Sequence, residues 1–590
     1  MPIQTTWREP TPIEVPLDLV ELVGHRLGAE LLVRRGFANR DAALAFVDPW
    51  NRGPTGGSEL PGLDAAVGRL RRAVERREKV LVWGDFDVDG QTSTAVFVLA
   101  LRRLGLDPAW HVPHRATDSH GLNDGCLEHA ARVGASLVVT CDCGIGDDAQ
   151  LRALAQGGLD VVVTDHHALP PRLHGVPYPA HALVWPGGLP EEHPIRPLTG
   201  VGVAYMTAAE LLRSFGEGGD DLLDLVALGT IADVARLVGE NRYLVQRGLP
   251  ALNAGRRPGI KALLTLAGRL GAPPMDAGVA GWIIAPPLNA FGRLGKAQPA
   301  VELLMADDEA AVQPIAEDAH ALNQQRQGYC ERIVQQATEL VEACLDGRGE
   351  PRANGPYVVS DSAIVAADPA WHLGVVGLAA GRLAQSYLRP VALATRAGDG
   401  EGRVSVRSAA WCDLNDVIAE LAADPAIGFR GGSHSMAAGG SLPWEHVGAF
   451  AEAFDRAVSR QRPPGALVRE VTLDAVIGLG DVTLPAVRSV ARLAPFGNGN
   501  PAPCFLLRDV RIAEAPRQMG GSQRHLRIAL ADDEGHRAWA VWWDGAPRSL
   551  PAGRLDLALC LEENEYEGRP EPRLVVQHLR PMVRPTIAIR

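Results

Sequence analysis

Val80-Leu81-Val82-Trp83-Gly84-Asp85-Phe86-Asp87-Val88-Asp89-Gly90 is the stretch on which the fold turns. An apolar run of strand length leads directly into three acids at alternate positions, closed by a glycine. The same order recurs twice: Leu137–Thr140 leads into Cys141-Asp142-Cys143-Gly144, and Val161–Thr164 into Asp165-His166-His167. Segments of helical periodicity, Thr92–Leu104 and Gln150–Ala155, lie between these runs, and Leu183–Trp185 adds a fourth. Such alternation predicts a parallel sheet wrapped by helices. In an open parallel sheet, ligands bind beyond the carboxyl ends of the strands. Three neighbouring strand ends therefore bring carboxylates and imidazoles to one crevice. Unpaired charges crowded out of water are costly, and a divalent cation removes that cost. Oxygen ligands with imidazole suit Mn²⁺ or Mg²⁺.

Other readings of these acids fit less well. Asp-x-Asp-x-Asp-Gly also opens a calcium loop of the EF-hand type, but that loop needs a glutamate at its twelfth position, where this chain has Val96. Cys141 and Cys143 lack the partner pair of a zinc site. Solvated loop acids are common, yet three clusters that each follow an apolar run are hard to assign to chance. In Leu228-Gly229-Thr230-Ile231-Ala232-Asp233, the aspartate stands in apolar helical surroundings, and its local reading is a helix cap.

Outward from these motifs, 590 residues suggest roughly three to five domains. Hydrophobic residues at 46% and charged residues at 22% are globular values and exclude a disordered or fibrous chain. There is no apolar run of membrane-spanning length. MPIQTTWREP does not read as a secretory signal, so the eight scattered cysteines read as reduced thiols of a cytoplasmic protein. A net charge of −12 disfavours a general nucleic-acid binder. However, only Lys79, Lys261 and Lys296 are lysines, so phosphate here would be met by arginine forks. The first residues read as helical, and 51–61 as a Gly/Pro/Ser boundary. Gln313–Leu345 reads as a long helix connecting two lobes, closed by a loop at 346–356. A second α/β lobe follows at about 357–460. Five short runs, Phe505–Ile512, His525–Ala531, Arg537–Trp543, Leu555–Leu561 and Arg573–Leu579, suggest a small barrel. The expected fold class is thus α/β, two lobes joined by a long helix, with a C-terminal β-barrel.

Two further patterns bear on phosphate and bases. Arg403, Ser405 and Arg407 alternate along one strand face, and the Gly-rich 431–440 reads either as a close backbone approach to phosphate or as a tight turn. Trp539 and Trp543 fall on one face of their strand and Trp542 on the other. With Arg524, Arg527 and Arg537 nearby, the outer pair suits stacking of unpaired bases, while the bland reading is barrel core.

These motifs together resemble the DHH phosphoesterase superfamily, and within it the exonucleases that act on single strands. The matched elements are DFDVDG at 85–90, DCG at 142–144, DHH at 165–167, GTIADV at 229–234, PLNAFGR at 287–293, WHLGVVG at 371–377, SVRS at 405–408, GSHSMAAG at 432–439 and PFGNGNP at 495–501. The resemblance covers about 60–580. It implies an N-terminal helical segment at 1–60, a DHH catalytic domain at 61–305, a connecting helix at 306–350, a DHHA1 substrate domain at 351–462 and an OB-type domain at 467–590. It further implies two divalent cations. Asp85 would hold one, Asp87, His166 and Asp233 the other, and Asp142 would bridge them. His167 would face the scissile phosphate, with Asp89 beside this set. Arg115, Arg293, Ser405, Arg407 and His434 would contact phosphate, a 5′-terminal phosphate falling to Arg115, Ser405 and Arg407. Two departures stand out: Leu81 occupies a place where some relatives carry an extra histidine, and Ser433 replaces a glycine. The implied activity is 5′-to-3′ hydrolysis of single-stranded DNA to 5′-mononucleotides, in DNA repair and recombination, by a monomer that a single-strand-binding protein or a helicase recruits. The rivals are a DHH phosphodiesterase for short oligonucleotides or cyclic dinucleotides and a non-catalytic strand-binding scaffold.

Overall fold

The computed structural model describes residues 4–115, 118, 121–271, 274–345, 356–398, 400–521, 523–546, 550–566 and 568–582. The loop read at 346–356 lies outside them except for Pro356. The chain forms two compact units. The larger takes in 7–286, 297–313 and the chain from 471 onward. The smaller is built mainly from 314–470, together with 287–296.

The larger unit contains the acidic motifs. Its parallel sheet consists of β1 (Val80–Gly84), β2 (Ala109–His111), β3 (Leu137–Cys141), β4 (Asp160–Thr164) and β5 (Ala182–Val184), in the order β2-β1-β3-β4-β5. Every residue of β1 and β3 is buried. Continuous Val/Leu runs of this kind are what a sheet covered on both faces requires. The order reverses between β1 and β3, since the chain leaves β1 for one side and returns to the other. That gap is the topological switch point of a doubly wound sheet, where side chains past the strand ends are least obstructed. The helices α1 (Val88–Arg103), α2 (Gly200–Arg213) and α3 (Leu223–Ala232) pack together beside it. The sequence shows no strand at Ala109–His111, which is three residues long and half-buried.

α4 (Glu309–Leu345) starts a turn earlier than its apolar pattern suggests and carries Pro314 inside. At about 1.5 Å per residue it reaches on the order of 55 Å. The smaller unit has a six-stranded sheet: β6 (Tyr357–Val359), β7 (Ile364–Ala367), β8 (Val391–Ala397), β9 (Glu401–Arg407), β10 (Arg430–His434) and β11 (Ala437–Pro443), ordered β10-β11-β9-β8-β7-β6. The helix α5 (Leu373–Tyr387) packs on β8 and β9.

All five expected barrel strands form, as β12 (Phe505–Ile512), β13 (His525–Ala531), β14 (Arg537–Trp542), β15 (Arg554–Tyr566) and β16 (Arg569–Pro581). β12 pairs with both β15 and β13, which closes the ring β12-β15-β16-β14-β13. The helices Leu17–Val23 and Arg26–Arg34 share this barrel's core: Leu19, Leu31 and Leu32 are fully buried in one cluster with Phe505, Leu507 and Leu557. The N-terminal segment, which begins with a strand at Gln4–Arg8, therefore packs with the chain's other end. Among the described residues no helix is long and apolar enough to cross a membrane.

Candidate metal centre

The chain after β1 turns immediately into α1. Asp87 is the N-cap of α1, its carboxylate accepting from Gly90 N at 3.1 Å, and Asp89 lies one residue inside the first turn. The change from extended to helical backbone splits the alternate acids. Asp87 gathers with Asp85 and Asp142, and Asp89 with His166 and Asp233. Ligand atoms within each trio lie within 4.8 Å of one another. A third trio is Asp142 with His166 and His167. Asp89, rather than Asp87, thus stands in the group with His166 and Asp233, whereas the resemblance puts Asp87 there.

Asp89 is also bound to the fold. Its two carboxylate oxygens accept from Gly200 N at 2.8 Å and Val201 N at 2.7 Å, the first amides of α2. A helix N-terminus favours an anion there. Burial and the nearby Asp233 nevertheless push the Asp89 carboxyl up to about 7.

Asp142 follows β3 in a left-handed conformation, φ 62°, with its amide bonded to Thr164 O at 2.9 Å. This turns its carboxylate towards α2 and the β4 end. Burial, then repulsion from Asp89, Asp87, Asp85 and Asp165, raises its carboxyl well above the usual range. Asp142 Oδ1 is buried and accepts no hydrogen bond, although His166 Nε2 lies 3.2 Å away and His167 Nδ1 3.8 Å away. Burial, with His167 next in effect, lowers the His166 pKa and favours the neutral ring. A neutral imidazole nitrogen and several buried carboxylate oxygens, aimed together, fit a hard divalent cation.

The first residue of the DHH motif has a different task. Asp165 accepts from its neighbours' amides, His166 N at 2.7 Å and His167 N at 3.0 Å, and pairs with His167 Nδ1 at 2.8 Å. Burial raises this carboxyl, but the His167 bond and charge outweigh that and hold it at about 2. In return His167 rises to about 9, against the effect of its own burial. A carboxylate behind an imidazole fixes both its tautomer and its direction. Sequence reasoning placed Asp165 in the motif without this role. His-Asp adjacency was the available signal.

Asp233 follows the last residue of α3. The cap reading favours a helix start, yet Asp233 sits at the C-terminal end, where the helix dipole repels an anion. It is exposed rather than buried. Although the residue is solvent-accessible, desolvation of its carboxyl group where it faces the crowded acids, and then repulsion from Asp87, push it up to about 7. A cation offsets both penalties. Arg115 adds positive charge, its guanidinium 4.7 Å over the Phe86 ring within the Asp85–Asp87 loop.

In the smaller unit, Ser405 and Arg407 are half-buried on one face of β9 while Val404 and Val406 are buried on the other. Gly377 of α5 lies over them: a Cβ there would stand 3.1 Å from Arg407 Nη2 and 3.5 Å from Ser405 Oγ. Arg293 packs in this unit, not with the first lobe, and its Nη1 donates to Gly374 O at 3.4 Å. His434 ends β10, exposed. The glycines of this hairpin divide by role. Gly431 and Gly440 are cross-strand partners against the Phe429 ring, where no Cβ fits, so packing explains them. Gly432 is open and accessible.

On the barrel, Trp542 is buried in the core, while Trp539 and Trp543 are 39% and 44% exposed. Arg527 stacks on Trp539 at 4.1 Å, and His525 meets Trp543 edge-on at 4.9 Å.

Comparison with known proteins agrees with this arrangement. The family model for the DHH family, N-terminal domain, matches residues 79–230, that for the DHHA1 domain 360–460, and that for the RecJ OB domain 473–578. These three modules in this order define a DHH-type phosphoesterase with an appended nucleic-acid barrel. The single-stranded-DNA-specific exonuclease RecJ of Dickeya dadantii is 34% identical over 549 residues, 89% of this chain and 91% of that protein. The RecJ of Escherichia coli is 32% identical over 585 residues, 94% and 97% of the two chains. The crystal structure of Thermus thermophilus RecJ in complex with Mn²⁺ superposes with a TM-score of 0.78 at 31% identity, covering 98% of this chain and 80% of that one. Its complex with Mg²⁺ gives 0.73 at 29% identity, covering 98% and 78%. The chain belongs to the RecJ family of single-stranded-DNA-specific exonucleases.

Proposed function

We propose that this protein is a metal-dependent exonuclease that degrades single-stranded DNA from the 5′ end and releases 5′-mononucleotides in DNA repair and recombination. The observation that carries the reading is the convergence of Asp85, Asp87, Asp142, His166 and Asp233 at the sheet's switch point, with Asp142 Oδ1 facing His166 Nε2 at 3.2 Å. These five residues would hold two divalent cations, Mn²⁺ or Mg²⁺, with Asp142 shared between them and Asp89 contributing to the His166 group. Such ions, when bound, activate water and neutralise the oxygens of an in-line displacement. The protein's own residues do the rest. Asp165 aims His167, whose raised pKa keeps a positive N–H available to a phosphate oxygen. Arg115 places a second cation beside the first acids. In the smaller unit, Arg293, Ser405, Arg407 and His434 form the phosphate grip. Trp539 and Trp543, backed by arginine, offer faces on which successive unpaired bases stack.

The deciding experiment is digestion of matched 5′-labelled and 3′-labelled oligonucleotides, single- and double-stranded, with Mn²⁺, Mg²⁺ or EDTA. Release of labelled mononucleotide first from the 5′ end, from single strands only and never in EDTA, is the expected pattern. Loss of the 3′ label first would overturn the polarity. Digestion in EDTA would overturn the metal. Arg407→Ala should erase most of the preference for 5′-phosphorylated over 5′-hydroxyl ends, by roughly 10- to 100-fold for the loss of a charge-assisted contact of ~1.5–3 kcal/mol. An unchanged ratio would remove Arg407 from the end-binding site. The protein is taken to work as a monomer in the cytoplasm, with a single-strand-binding protein or a helicase as its recruiter.

A further inference from the structure

The residue after Asp233 is held in an unfavourable backbone conformation. Val234 has φ 57° although it is β-branched, and its side chain is 69% exposed, so its own packing does not pin it there. A β-branched residue reaches the left-handed region at a cost and stays only where its surroundings over-determine it. Here a loop from a remote part of the sequence does so. Asn498 Nδ2 donates to Val234 O at 3.0 Å, and Leu237 N donates to Asn498 O at 2.7 Å. One asparagine thus bonds both ends of 234–237. Its neighbours close over the same segment. A Cβ on Gly497 would stand 2.9 Å from Leu237, and one on Gly499 would stand 3.1 Å from Val238 and 3.4 Å from Arg236. Gly499 is itself left-handed, φ 79°.

The loop is held rigid from behind. The buried Asn500 donates to Leu493 O at 2.9 Å and Pro495 O at 2.8 Å, and accepts from Arg35 at 2.9 Å. Arg242, just beyond the clamped segment, donates to Leu493 O, Ala494 O and Pro495 O. Every part belongs to the larger unit. The motif 495–501, which the sequence offers only as one of the matched elements of the resemblance, is therefore built against the backbone that carries Asp233.

We propose that Asn498 is a positioning residue for the metal centre: by holding Val234 O it fixes the peptide after Asp233 and so the direction of the Asp233 carboxylate. This rests on Asp233 being a metal ligand. Partners that orient a ligand typically contribute 10–100-fold in metal affinity. Asn498→Asp keeps the shape and removes the amide donor, so it should fold as the parent does. Mn²⁺ affinity, measured without DNA by titration calorimetry and by the free-ion signal in electron paramagnetic resonance, should weaken by about 10-fold for at least one site. The Mn²⁺ concentration for half-maximal activity should rise in parallel, while kcat at saturating Mn²⁺ returns close to the parent value. Asp233→Ala is the control. If Asp233→Ala binds Mn²⁺ as the parent does, the ligand reading fails. If Asp233→Ala weakens binding and Asn498→Asp does not, this inference alone fails. A kcat that saturating Mn²⁺ fails to restore in Asn498→Asp also overturns it.

Discussion

Asp142→Asn is expected to lower kcat by about 10³-fold or more while leaving the metal-free protein at least as stable as the parent. The two halves of this result come from the same geometry. Asp142, like His166, belongs to two of the trios at this centre, and it alone joins the Asp85–Asp87 group to the His166–His167 group. Removing its charge therefore disturbs the Asp85–Asp87 group and the His166–His167 group at once. Loss of one group that stabilises developing charge costs on the order of 10²–10³ in rate, and a shared ligand affects both ions of an in-line displacement. Stability should move the other way. The Asp142 carboxyl is raised by burial and by four surrounding carboxylates, so its charge opposes folding when no cation is present. Asparagine keeps the shape and tolerates the left-handed φ of 62° that most residues resist. Thermal melting in EDTA should show an equal or higher midpoint for the variant. Addition of Mn²⁺ should raise the parent's midpoint clearly and the variant's much less, since a ligand stabilises only as far as it binds the native state. A variant with parental kcat, or one that Mn²⁺ stabilises as strongly as the parent, would show that Asp142 is not the shared ligand.

How far the sequence carries this picture depends on the range of the physics involved. The β1, β3 and β4 ends are legible because a buried parallel strand must be apolar throughout, and acids straight after it have nowhere to go but the switch point. The barrel strands are legible for a similar reason, and alternation separates Trp542 from Trp539 and Trp543, but which face is core is decided by the packing, which buries Trp542. What alternation misses is the onset of a helix. Asp87 has extended backbone, ψ 178°, and Asp89 is already helical, so the two acids diverge and join different trios. No spacing rule distinguishes them before the cap is located. Other features depend on contacts between distant stretches. The bond between Asp89 and the α2 amides spans over a hundred residues, and that between Asn498 and Val234 spans 264. Leu19 and Phe505 share a core although nearly the whole chain separates them. Arg293 reads as part of the first lobe because it precedes the long helix, yet it packs with the unit that follows.

Gly200→Ala should be nearly as damaging as loss of a ligand, though position 200 carries no functional group. The first turn of α2 comes so close to β3 that a Cβ at 200 would stand 2.4 Å from Asp142 Oδ1 and 2.6 Å from its Cγ. No side chain tolerates that distance, so either Asp142 rotates away or α2 withdraws. The first outcome moves the shared carboxylate out of both groups. The second breaks the bonds from Gly200 N and Val201 N to Asp89, and with them the hold on the other trio. Neither relaxation preserves the site, because the first turn of α2 meets Asp142 at Gly200 and holds Asp89 through the Gly200 and Val201 amides. Overpacking of this kind costs about 1–3 kcal/mol, and displacement of a reacting group by about 1 Å can cost 10²-fold in rate. The variant should therefore fold, melt several degrees lower, and show kcat reduced by about 10²-fold with little change in KM for single strands, whose contacts lie elsewhere. Gly202→Ala in the same helix separates crowding of Asp142 from damage to α2. A Cβ at 202 would press on Leu198 and Thr199 rather than on the acids, so that change should lower the melting point with a much smaller effect on kcat. Equal losses of kcat in the two variants would mean that α2 acts through its packing alone and that its close approach to Asp142 has no part in setting the metal ligands.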